Sequence, residues 1–298
     1  VNMGSETKEI VIISGKGGTG KTTFTAAFAV LAGKVVVADC DVDAADLHLL
    51  LNPKVLERHE FWSGHEAVIK EDLCSGCGIC QEFCRFKAII QKNGKFVVDP
   101  FSCEGCGVCV RFCPENAIEF PERLCGEWMI SQSRVGPMVH AKLLPTAENS
   151  GKLVAVVRKA SQDLAKAHDI PLILVDGPPG IGCPVISSLT GAHAVVVIAE
   201  PTVSGEHDSE RALKLARHFN IPAFFCVNKW DINPDGAERL EQMARNHGAT
   251  ILGRVSYNSA VVTALINGLT VFEMEGESFR LASREIKKVW NSLCEFIN

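Results

Sequence analysis

IVIISGKGGTGKTTFT, from Ile10 to Thr25, decides the fold. Four β-prone residues, Ile10 to Ile13, lead into a glycine-rich turn, and Lys21, Thr22 and Thr23 open a helix. Gly15-Lys16-Gly17-Gly18-Thr19-Gly20-Lys21-Thr22 fits G-x-x-x-x-G-K-[ST] at each fixed position. Without side chains at the glycines, successive backbone N–H groups can turn inward onto phosphate oxygens. The helix that follows adds its positive N-terminal end. Gly15 through Thr23 are therefore the expected cradle of a nucleoside triphosphate, with Lys21 on the β- and γ-phosphates and Thr22 on Mg²⁺.

Working outward, strands alternate with helices. KVVVA (Lys34 to Ala38) reads as a buried parallel strand ending in Asp39-Cys40-Asp41-Val42-Asp43, and a leucine-rich helical piece follows to Leu51. The rhythm resumes with a helix over Lys152 to His168 and a strand over Pro171 to Val175, and it continues to a strand near Thr250 to Leu252. This predicts an α/β fold, a mostly parallel sheet with helices on both faces joined by right-handed crossovers. Between the second strand and Lys152 lies a cysteine-rich block. The expected organisation is one P-loop domain from residues 1–58 and 122–298, interrupted by a small domain at 59–121. Phe61 to Val68 reads as short and mixed, and Trp128 to Leu144 as extended around a turn at Gly136-Pro137.

The chain has 298 residues, 47% hydrophobic and 22% charged, with a formal net charge of −5. That balance argues against a general nucleic-acid binder. No apolar run approaches the ~20 residues of a membrane helix. The polar opening VNMGSETKE does not read as a signal peptide, so a cytoplasmic location is expected. The last helix, Leu281 to Ile297, is amphipathic with a mixed-charge polar face, which favours packing on the sheet over lying on a membrane.

Of thirteen cysteines, eight lie between Cys74 and Cys113. CSGCGICQEFCRFKAI and CEGCGVCVRFCPENAI repeat at a shift of 29 residues, from Cys74 to Cys103. Each copy carries C-x2-C-x2-C-x3-C, the two-cluster ferredoxin spacing in which the fourth cysteine serves the other cluster. One [4Fe–4S] centre should take Cys74, Cys77, Cys80 and Cys113; the other should take Cys103, Cys106, Cys109 and Cys84. Zinc is the competing reading of C-x2-C pairs, but zinc sites would not need a third and fourth cysteine in each run. Arg85 follows Cys84 where Pro114 follows Cys113, so one centre has an added positive neighbour.

Asp176-Gly177-Pro178-Pro179-Gly180 ends another buried strand, where Asp176 should serve Mg²⁺ and the Gly180 N–H should sense the γ-phosphate. Asp39, Asp41 and Asp43 should face the phosphates too; a solvated acidic turn is the alternative, above all for Asp43. Asn228-Lys229-Trp230-Asp231 spells NKxD, which by itself is a guanine-reading signature.

Lys16 near the start of the loop, with DCDVDAADLHLL and DGPPGIGCPV, resembles the MinD/ParA/Mrp superfamily of deviant P-loop ATPases, which includes the nitrogenase iron protein. The resemblance spans Glu9 to Phe279, and with the cysteine block the chain looks like such an ATPase carrying an inserted ferredoxin domain. It implies that Lys16 reaches across an ATP-dependent homodimer, that Asp41 positions the attacking water, and that Asn228 reads adenine, so NKxD would not imply GTP. Relatives tend to have proline at the Ser256 position. Cys183 stands at the offset of a cluster ligand in the nitrogenase iron protein; a small buried residue in a turn is the alternative, and Cys125 is the candidate second ligand. The implied function is an ATP-hydrolysing switch that couples nucleotide state to electron transfer toward a partner protein. A cluster carrier of the Mrp type, handing its cluster to an acceptor protein, and a redox-sensing positioning ATPase are the alternatives.

Overall fold

Residues 7–145 and 147–297 are described by the structure, a computed structural model; the polar stretch 1–6 lies outside them. The near-continuous apolar run KEIVIIS forms β1 (Lys8–Ser14), and Ile10 to Ile13 have no exposed surface. The glycine loop turns the chain into α1 (Lys21–Ala32), which begins with Gly20 in the left-handed region at φ 94°. Next come β2 (Val36–Asp39), α2 (Leu47–Leu51) and β3 (Lys54–His65). The cysteine region holds β4 (Val68–Ile69), α3 (Ile79–Glu82), β5 (Ile89–Lys92), β6 (Lys95–Val98), α4 (Val108–Phe112) and β7 (Ile118–Glu119). Then β8 (Glu122–Ser133), β9 (Gly136–Leu143), α5 (Ser150–Ala167), β10 (Leu172–Pro179) and α6 (Cys183–Leu189) follow. The remainder is β11 (Ala194–Ala199), α7 (Val203–His218), β12 (Ala223–Asn228), α8 (Pro234–Asn246), β13 (Thr250–Val255), α9 (Ser259–Ile266) and α10 (Glu277–Ile297).

Nine strands form one sheet in the order β13-β12-β11-β1-β10-β2-β9-β8-β3. From β13 to β9 the neighbours pair in parallel. The mostly parallel α/β architecture expected from the alternation of elements is present. Parallel strands need crossovers, and the helices that make them bury the sheet, which is why its strands are continuous apolar runs. Asp176 on β10 is in register with Asp39 on β2, so two acidic side chains meet at the carboxyl ends of adjacent strands. α10 turns Ala282, Ile286, Val289, Trp290 and Leu293 inward, and Trp290 lies 5.2 Å from Phe28 of α1, centroid to centroid.

The chain divides into two compact units. One holds the residues up to His59, Trp128–Lys142 and those from Ser150 onward; the other holds Glu60–Glu127 and Leu143–Asn149. In the second unit β4 pairs antiparallel with β7 and β5 with β6, around a small core of Ala67, Cys80, Ile89, Phe96 and Ile118.

Two local expectations are corrected. Of the stretch read as short and mixed, Phe61 to His65 close a twelve-residue strand, β3, whose mostly exposed residues hide it from a periodicity search, and Val68 starts β4. The turn between β8 and β9 falls at Arg134 and Val135, not at Gly136-Pro137. Ser133 fixes it there, since its hydroxyl donates to the Gly136 carbonyl at 2.8 Å and accepts the Val135 N–H at 3.3 Å.

Candidate functional site

The P-loop and the ends of β2 and β10 bring four charged groups together. Lys21 Nζ lies 2.7 Å from Asp41 Oδ2 and 3.9 Å from Asp176 Oδ1, all three side chains being buried. Asp176 also accepts from Thr22 Oγ1 at 2.7 Å and from Thr25 Oγ1 at 3.1 Å. Thr25 went unnoticed in the sequence, although it stands one helical turn after Lys21 and therefore on the same face. Asp39 accepts the backbone N–H of Asp41 and of Leu47, each at 3.2 Å, so it folds the loop back and holds the start of α2.

Three carboxylates against one lysine leave the cluster short of positive charge. Burial pushes the Asp39 carboxyl well above the ordinary carboxylate value, and the charge of Asp176 adds to this. Burial also raises Asp176, with Lys21 opposing. For Lys21, burial works against the ammonium, but Asp176 and Asp41 outweigh it and hold its pKa above the usual lysine value. A divalent cation would relieve this excess of negative charge.

Gly15 is required sterically. A Cβ there would run into the backbone and Cβ of Asp208 on α7. That close approach seats α7 against the loop and lets Lys16 Nζ donate to Thr202 Oγ1 at 3.1 Å and Ser204 Oγ at 3.2 Å. Lys16 is thus held within its own chain. Thr19 is buried, and among the described residues its hydroxyl has no hydrogen-bond partner.

Gly18, Gly20, Thr23, Phe24, Asn228, Val255, Tyr257, Asn258, Val261 and Leu265 are among the residues lining a cavity of about 140 Å³ beside the loop. It is largely apolar, as a nucleobase pocket should be. Asn228 forms part of the wall, yet its Nδ2 donates to the Thr19 carbonyl at 2.8 Å and its Oδ1 accepts the Lys229 N–H at 3.1 Å. Its polar atoms brace the P-loop instead of facing a base. A larger cavity of about 450 Å³ lies at the opposite ends of the strands, beside Glu9 and His193. There the Glu9 carboxylate is spent on Arg158 at 2.5 Å and Gln162 at 2.8 Å, a structural arrangement remote from the phosphate loop.

Other expected site residues stand apart. Asp43 is exposed on the loop, the solvated alternative; partial burial and neighbouring Asp41 raise its carboxyl. The Gly180 N–H donates to the Ser14 carbonyl at 3.0 Å, so the expected phosphate sensor is already spent on joining β10 to β1. Cys183 is exposed at the start of α6. Cys125 is buried, with its thiol donating to the Ser63 carbonyl at 3.0 Å, which removes it as a second ligand.

The second unit has two narrow cavities. Cys74, Cys77, Cys80 and Cys113 line one; Cys84, Cys103, Cys106 and Cys109 line the other. In each cavity the fourth cysteine comes from the opposite repeat. Gly78 and Gly107 start α3 and α4 at φ 81° and 72°, a backbone that other residues adopt at a cost. The Ala88 N–H donates to Cys84 Sγ and the Ala117 N–H to Cys113 Sγ, both at 3.3 Å. Burial raises the Cys109 thiol to about 11, with Cys103 adding to it, and raises Cys80 in the same direction. Among the described residues no three His, Cys, Asp or Glu side chains converge on a position for a single metal ion.

A profile of the CobQ/CobB/MinD/ParA nucleotide binding domain matches residues 10–271. An uncharacterised protein of Methanocaldococcus jannaschii is 31% identical over 293 residues, covering 97% of both chains. An iron-sulfur cluster carrier protein of the same organism is 22% identical over 313 residues, covering 99% of this chain and 86% of its own. In fold, the chain is similar to the septum site-determining protein MinD of Pyrococcus horikoshii, solved with Mg-ADP, at a TM-score of 0.57 and 16% identity over 97% of both chains.

Proposed function

The chain belongs to the CobQ/CobB/MinD/ParA nucleotide-binding domain family and is a P-loop ATPase of the MinD/ParA type; from that premise we propose that it couples its nucleotide state to electron transfer through two [4Fe–4S] clusters. The observation that carries this reading is the pair of cavities, each lined by four cysteines with the fourth exchanged between repeats. A four-iron cube takes four thiolates, and N–H donors to thiolate sulfur favour the charged form it needs. When bound, the clusters supply one-electron redox chemistry. Cys74, Cys77, Cys80 and Cys113 would hold one; Cys103, Cys106, Cys109 and Cys84 would hold the other.

At the nucleotide site, Lys21 and the P-loop N–H groups bind the phosphates, while Thr22 and Asp176 serve Mg²⁺. Phosphate oxygens compete with Asp41 for the Lys21 ammonium. Binding therefore releases the Asp41 carboxylate to orient the water that attacks the γ-phosphorus, yielding ADP and inorganic phosphate. Because Asp39 ties that loop to the start of α2, the same exchange moves an element beyond the site. Lys16 leaves Thr202 and Ser204 to reach a second copy, closing an ATP-dependent homodimer.

Anaerobic purification tests this reading. The expected result is about eight iron atoms per chain, a low-temperature EPR signal on reduction, and a re-oxidation rate by a dye acceptor that changes when Mg²⁺ and ATP are added. Iron without any effect of ATP on rate, potential or partner capture would falsify the coupling.

The similarity to a cluster carrier favours one second reading, in which a labile cluster at exposed Cys183 passes to an acceptor protein. Iron transfer to an apo-ferredoxin that Cys183→Ala abolishes would support it; full retention of iron would exclude it.

A further inference from the structure

Phe83 and Phe112 occupy matching positions in the two repeats, each directly before the fourth cysteine. Their rings stack with centroids 4.7 Å apart and planes 8° from parallel. They are 48% and 49% exposed, so the pair is not part of the buried core of its unit. Phe83 caps α3 and Phe112 is the last residue of α4. Helices this short do not hold their own shape, and contacts made at their ends decide where they sit. The stack is the aromatic contact that joins these two ends.

The residues that follow give the stack its consequence. Cys84, bonded to Phe83, lines the cavity of Cys103, Cys106 and Cys109; Cys113, bonded to Phe112, lines the cavity of Cys74, Cys77 and Cys80. Each cavity thus depends on the other repeat for one cysteine, and both of these cysteines follow directly from the same ring pair. α3 carries Cys80 of one cavity and α4 carries Cys109 of the other, so the helix ends that the ring pair joins bear on both cavities at once.

We propose, resting on the reading of these cavities as [4Fe–4S] sites, that Phe83 and Phe112 are positioning residues that couple the two centres, so that both assemble and break down as one unit. Coupling between sites commonly amounts to 5–150-fold. The test follows the full-length protein, reconstituted anaerobically, through a challenge with a ferrous chelator. Native mass spectrometry counts chains with two, one or no clusters. In the wild type, single-cluster chains should be at least about fivefold rarer than independent loss would give. Phe83→Ala and Phe112→Ala should raise them to the independent level, and Phe83→Tyr, which keeps a stacking ring, should leave them rare. Should an alanine variant fail to reconstitute, Phe83→Leu keeps apolar bulk without the stack and is scored by the same criterion. Single-cluster chains at the independent level in the wild type, or equally rare in the variants without the stack, overturn the coupling. A wild-type chain that takes up zinc or no iron overturns the cluster reading itself, and the coupling with it.

Discussion

Lys16 donates to Thr202 Oγ1 at 3.1 Å, an intramolecular bond made by the residue that the family resemblance marks for a partner subunit. It also donates to Ser204 Oγ at 3.2 Å, and because the side chain is partly exposed, water can replace both hydroxyl partners when it leaves.

Lys16→Ala should therefore abolish the ATP-dependent dimer while weakening nucleotide binding by less than about tenfold, since Lys21 and the loop N–H groups remain. Light scattering after gel filtration with Mg²⁺ and ATP checks it. Thr202→Val should leave the dimer intact. Dimerisation of Lys16→Ala to the wild-type extent would contradict the assignment.

The buried carboxylates make a pH prediction. Asp39 and Asp176 are raised above their ordinary value of 3.8, so the folded chain favours their protonated forms. The stability they contribute is present below that value and is lost as pH rises through the folded-state value. Asp176→Asn removes this penalty and still serves Thr22 and Thr25, whose hydroxyls can rotate. At pH 8 the nucleotide-free variant should melt roughly 2–4 °C higher, and the gain should shrink toward pH 4. ATP hydrolysis should fall at least about 100-fold with the loss of the Mg²⁺ carboxylate.

Asn228, Lys229 and Asp231 of NKxD each have a partner within the chain. Asp231 Oδ1 accepts the Tyr257 N–H at 2.6 Å and Lys229 is paired with Glu200 at 2.5 Å, so reading a base would compete with contacts already made. ATP should bind more tightly than GTP. Asp231→Ala should weaken both by a similar factor, up to about tenfold for one lost hydrogen bond, instead of changing the preference. Competition against a fluorescent ATP analogue measures both ratios, and a selective loss of GTP binding would show a direct role for the carboxylate.

Gly15→Ala should abolish measurable ATP binding and lower stability by about 1–3 kcal/mol, because the new methyl meets backbone of α7 that cannot turn aside. Calorimetric titration and thermal melting report the two effects separately.

Much of the site was legible because its signals are local. A buried parallel strand is a continuous apolar run, so β1, β10, β11 and β12 could be found one at a time. β3 escaped because its mostly exposed, mixed residues carry no continuous apolar signal, and β8 was legible as extended only from Trp128 onward. The family resemblance singled out Asp41, and Asp43 carried the solvated alternative; the fold buries the first with Lys21 and exposes the second.

By itself the sequence determined the phosphate loop, the family resemblance and the spacing of eight cysteines, because each depends on neighbours along the chain. Only the tertiary structure decided which partner each polar group takes. It assigned Lys16 to Thr202, the Gly180 N–H to Ser14, Asn228 to Thr19 and Asp231 to Tyr257. Those partners lie far apart in the chain, and a polar group bonds to whatever the packing brings within about 3 Å.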